Sequence, residues 1–103
     1  METKLVKAEN FQAREVEDLK TIYCNSVNIS ASNMDLTFDF GYFPPNRTIV
    51  KDGKTVIPID IMVRVVMSPQ HAKIFSSILM KNINQYESGF GEIIIEPKNK
   101  RNA

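Results

Sequence analysis

The sequence predicts an α+β domain: an antiparallel sheet of about four strands followed by one long C-terminal helix packed on one face. Three observations carry that expectation. Apolar and polar residues alternate with a period of two through "DLTFDFGYF", residues 35–43. Asp52-Gly53 stands between two β-branched runs, a strong hairpin signal because a type I′ turn needs positive φ at both central residues. After Ser68-Pro69 the apolar period changes to that of a helix and holds as far as a glycine.

The elements follow in chain order. Residues 1–19 hold three basic and five acidic side chains, with Leu5, Phe11, Val16 and Leu19 too irregularly spaced to define one apolar face. They read as a charged arm or a short helix. Residues 20–96 form the single α+β domain. In "TIYCNSVNIS", residues 21–30, Tyr23, Val27 and Ile29 fall on one face and Cys24, Ser26, Asn28 and Ser30 on the other, as in a half-buried strand. "ASNM" is turn-like. In the second strand Leu36, Phe38, Phe40 and Tyr42 oppose Asp35, Thr37 and Asp39, the pattern of an antiparallel sheet with one wet face.

"PPNR" interrupts the ladder, since proline cannot donate to it. The hairpin at Asp52-Gly53 then returns through the longest predicted strand, about Thr55 to Met67. Ile57, Ile59, Ile61, Val63, Val65 and Met67 share one face of it; Asp60, Met62, Arg64 and Val66 share the other. Pro58 requires an unpartnered edge or a bulge. Ser68 is a good helix N-cap, and Pro69 falls at the first helical position, where its missing N–H costs nothing. Ala72, Phe75, Leu79, Ile83 and Tyr86 make one stripe of the helix, and Ile74 and Ile78 widen it. Lys73, Ser77, Asn84 and Glu87 face water. Gly89 is the expected C-terminal glycine, with Phe90 folding back on the last turn. "EIIIE" is a candidate short final strand, and residues 97–103 read as a frayed basic tail.

The blocks "YCNSVNIS", "DLTFDFG", "RVVMSPQHAKIF" and "NINQYESGFGEI" resemble a bacterial and archaeal family known as domain of unknown function 3467. Members carry a Tyr-x-Asn opening, an acidic-aromatic second strand, a Ser-Pro-Gln-His-Ala-Lys helix start and a Tyr-Glu-x-x-Phe-Gly end. The resemblance covers about residues 22–95. The segment "NRTIVKDGKTVIPID" is longer than the usual family connection. The resemblance implies a small stand-alone bacterial or archaeal protein and supplies no activity.

Composition narrows the functional classes. A chain of 103 residues with 43 % apolar and 24 % charged side chains makes one ordinary globular domain. A net charge of +1 gives no global attraction to nucleic acid or acidic membranes. The one cysteine, Cys24, rules out an intramolecular disulfide and a cysteine metal cluster. Together with an N-terminus lacking a signal-like apolar core and the absence of a run long enough to span a bilayer, it predicts a cytoplasmic protein without membrane attachment.

No catalytic constellation is evident, so the expectation is a protein that is not an enzyme, without cofactor or metal. His71 is the only histidine and reads as a helix-start residue bonded to nearby backbone or to a partner chain, within the motif Ser68 to Lys73. Cys24 lacks the cationic neighbours a reactive thiolate needs. Asp35, Asp39 and Asp60 could gather for Mg²⁺ or Ca²⁺, but a solvated strand face explains them as well. Phosphate-loop, dinucleotide and nucleophile-elbow motifs are missing.

Assembly is better supported. The helix's apolar sector spans about half the wheel, wider than the roughly 100° stripe one sheet face covers, and the last strand is apolar on both faces. Such excess marks an interface, most simply a homodimer. The expected self-association residues are Ile74 and Ile78 on the helix flank, with Met62 and Val66 on the outer sheet face. The expected function is a self-associating scaffold or adaptor that binds another, unidentified protein. The alternative is single-stranded DNA or RNA binding through Tyr42, Phe43, Arg47, Lys51 and Lys54, with rings to stack bases and cations to follow the backbone.

Overall fold

Strands and helix follow one another as the sequence predicts, in a computed structural model that describes residues 11–96. The beginning of the charged arm and the whole 97–103 tail lie outside the described residues. The strands are β1, Ser26–Ala31; β2, Leu36–Tyr42; β3, Ile49–Lys51; β4, Lys54–Val56; and β5, Asp60–Met67. One helix follows, α1, Pro69–Phe90. The architecture is α+β. All strand pairs are antiparallel.

The strands divide into two sheets. One has the order β1-β2-β5, and the other is the β3-β4 hairpin alone. Ser32 closes the link between β1 and β2: its backbone N–H donates to the Asp35 carbonyl at 2.9 Å, and its Oγ accepts from Met34 N and Asp35 N. Asp52 (φ 53°) and Gly53 (φ 77°) both have positive φ, and Lys51 pairs with Lys54 on either side of them, so the hairpin has the two-residue turn that the dipeptide demands.

Two strand boundaries differ from the sequence expectation. The first strand begins at Ser26 rather than Thr21. Before it, Asn25 uses its side chain as a strand would use backbone, donating from Nδ2 to the Phe43 carbonyl and accepting from Phe43 N through Oδ1. The long strand expected over residues 55–67 is broken at Ile57–Ile59, around Pro58, into β4 and β5. A second irregularity follows: Phe40 pairs with Val63 but Gly41 pairs with Ile61, so Met62 is the extra residue of a bulge. Ile61 therefore leaves the face of Val63 and joins that of Gly41.

At the helix start the expectation holds. Ser68 is the N-cap, its Oγ accepting from His71 N at 3.1 Å, with Pro69 beside it. The helix ends two residues later than expected. Gly91 (φ 99°) is the cap, its N–H donating to the Glu87 carbonyl, and Gly89 stays inside the last turn. Tyr86 and Phe90, four residues apart, bring their rings together at a tilt, centroids 4.9 Å apart, a contact that favours the extra turn. The segment expected as a final strand is not one; Ile93 N instead donates to Glu87 Oε2.

Register sorts the three-stranded sheet into two faces. Val27, Ile29, Leu36, Phe38, Phe40, Val63, Val65 and Met67 alternate onto the helix side. Ser26, Asn28, Ser30, Thr37, Asp39, Arg64 and Val66 take the other side. Phe75 of the helix meets Phe38 edge-on, centroids 5.9 Å apart. Among the described residues, Phe38 and Ala72 are the buried hydrophobic ones.

Candidate functional site

On the polar sheet face, Asp39 and Arg64 stand opposite each other in register. The guanidinium grips the carboxylate with two bonds, Nε to Oδ1 at 2.6 Å and Nη2 to Oδ2 at 3.0 Å, the planar fork of a bidentate pair. The Arg64 hydrogen bond holds the Asp39 carboxyl below its ordinary range, opposed by desolvation and aided by the cation's charge. The same bond and charge raise the Arg64 guanidinium. The Asp39 side chain is 14 % exposed and that of Arg64 61 %, so the pair lies along the surface. Beside it a groove of about 380 Å³ is lined by Ser26, Val27, Asn28, Asp39, Gly41, Ile59 and Ile61.

The other candidate chemical groups remain apart. His71 is exposed, and its backbone N–H donates to Ser68 Oγ. Cys24 is exposed ahead of β1. Asp35 lies before β2 and Asp60 pairs in register with Tyr42. Among the described residues no three His, Cys, Asp or Glu side chains gather as a cation would require.

The residues of the nucleic-acid alternative are split between two sheets. Tyr42 ends β2 and packs edge-on against Tyr23, centroids 6.3 Å apart, while the Phe43 backbone is clamped by Asn25. Lys51 and Lys54 face each other across the separate hairpin, and Arg47 precedes it; all three are exposed. Arg64, the cation of the main sheet face, is already engaged by Asp39. The Asp39–Arg64 pair and the groove were missed in the sequence, although both residues sit on polar strand faces, because their meeting depends on register.

The four self-association candidates are each about half exposed. Val66 lies on the polar sheet face, Met62 in the bulge, and Ile74 and Ile78 on the helix flank. The open apolar surface extends well beyond them. Along the helix stripe Ala72 is 8 % exposed, Phe75 and Ile83 are half-buried, and Leu79, Tyr86 and Phe90 are 46 %, 53 % and 79 % exposed. On the sheet, Val27 and Ile29 are 54 % and 53 % exposed although they face the helix side. The helix therefore covers the sheet near Phe38 and leaves the β1 side bare. No helix among the described residues is long and apolar enough to cross a membrane.

A family model described as Protein of unknown function (DUF3467) matches residues 2–95, nearly the whole chain. No curated protein and no solved structure matches it.

Proposed function

The chain belongs to the family described as Protein of unknown function (DUF3467), and from that premise we propose that it is a non-enzymatic, self-associating scaffold or adaptor whose partner is another protein. The observation that carries this reading is the apolar surface left open on both helix and sheet. Exposed apolar area on this scale favours association. The titratable groups support a binding role rather than catalysis: His71 and Cys24 stand singly at the surface, and Asp39 is tied to Arg64. A lone cysteine suits a reducing compartment such as the cytoplasm.

With Ile74 and Ile78 of the helix flank and Met62 and Val66 of the outer sheet face used for self-association, the groove beside Asp39 and Arg64 remains for a protein partner. The nucleic-acid reading is weaker because its cations lie on the separate hairpin and the sheet's Arg64 is neutralised. Two measurements test the proposal. Light scattering at micromolar concentration should give at least twice the chain mass of 11.7 kDa, and a monomer mass overturns self-association. An oligonucleotide titration at two salt concentrations should show no salt-sensitive binding tighter than about 1 µM. Such binding, weakened when Arg47, Lys51 and Lys54 are changed to alanine, would replace the adaptor with a single-strand binder.

A further inference from the structure

Resting on the self-association reading, we infer that a second copy of the chain is the occupant of the bare sheet face, and that it fills it with the C-terminal half of its own α1. Each chain then lays Leu79 and Tyr86 over Val27 and Ile29 of the other, and the Ile74/Ile78 flanks meet between the two helices.

Three observations identify the occupant. The chain carries both halves of the contact: a sheet side lacking a helix and a helix half lacking a sheet. Reciprocal exchange about a two-fold axis satisfies both at once, because an isologous interface pairs surface i with j and j with i. The helix is long enough. Its 22 residues extend about 33 Å, and its buried contact with its own sheet lies in the first two turns, at Ala72 and Phe75. The area also fits. The chain exposes 9974 Å², whereas a folded monomer of 11.7 kDa exposes roughly 5,900 Å². A standard interface covers about 800 Å² per partner, whereas obligate homodimers bury roughly 2,000–5,000 Å² in total. An excess of this order leaves room for the roughly 1,000–2,500 Å² that each chain of an obligate homodimer buries.

The test mixes two single-cysteine chains in a Cys24→Ser background, one with Ile29→Cys and the other, carrying a size tag, with Tyr86→Cys. Each is first weighed by light scattering. A dimer mass with a mixed Ile29–Tyr86 disulfide as the main oxidation product is the expected result. A dimer mass with only like-to-like disulfides, or none, overturns the exchange and leaves self-association standing. A monomer mass for the unsubstituted chain overturns both. If a substitution itself breaks the dimer, isotope-filtered NMR on mixed labelled and unlabelled native chains decides. Contacts between chains from the Ile29 methyls to the Tyr86 ring support the exchange, and their absence in a dimer overturns it.

Discussion

At Gly41 the second and fifth strands approach so closely that a side chain has no room. A Cβ placed there would stand 2.7 Å from the Asp60 carbonyl oxygen and 3.0 Å from Ile59 Cγ2. The first of these is backbone, at the bulge, and cannot swing aside. Gly41→Ala should therefore destabilise the fold by about 1–3 kcal/mol, the usual cost of overpacking, seen as a lower urea midpoint with the slope unchanged. The neighbouring Asp39–Arg64 pair makes a pH prediction. The Asp39 pKa is depressed in the folded chain, so the folded state resists its protonation. Its contribution is present at neutral pH and is lost as pH falls below about 4. Arg64 is raised, so its share persists throughout that range. Asp39→Asn should thus be less stable than the native chain at pH 7, and the gap should close in acid. Urea unfolding of both proteins from pH 7 to pH 3 checks it. Neither feature was legible beforehand, because the sequence shows that Asp39 and Arg64 lie on polar faces but not that Met62 bulges, which sets who stands opposite whom.

The elements whose signals are local were the legible ones. Asp52-Gly53 dictates its turn through two positive φ angles, and Ser68-Pro69 sets the helix start through one capping hydroxyl and one absent donor. Ser68→Ala should remove the bond from His71 N and cost about 1 kcal/mol, measurable as a lower thermal midpoint with the helical circular-dichroism signal frayed rather than lost. Ends governed by competition were not legible. Gly89 could have stopped the helix, but the Tyr86–Phe90 contact and the Gly91 cap carry it further. The strand expected over residues 55–67 looked continuous in its isoleucines, yet Pro58 offers no ladder donor and the chain divides there. The helix stripe was legible as apolar, but that only its first turns meet their own sheet belongs to tertiary geometry, which periodicity does not contain.

For the whole molecule, the proportion of core to surface decides the thermodynamics. The Cα radius of gyration is 18.7 Å, against about 13 Å for a globular chain of this length. Among the described residues the buried hydrophobic side chains are Phe38 and Ala72, with Leu36, Phe40, Val63, Met67, Phe75 and Ile83 half-buried, a small core against the open apolar surface around it. Folding should therefore be coupled to association, with no stable folded monomer between the dimer and two unfolded chains. In that scheme each tenfold rise in chain concentration adds about 1.4 kcal/mol to the stability of the dimer. For an unfolding unit of roughly two hundred residues, that raises the thermal midpoint by about 3–6 °C. Calorimetry at about 5, 50 and 500 µM, two tenfold steps, should show the midpoint climbing by that amount at each step. Ile78→Asp, which puts a charge on the helix flank, should lower the midpoint at every concentration and leave no folded monomer behind it. A midpoint independent of concentration would mean that the chain holds its fold alone, and the open apolar faces would then need another account.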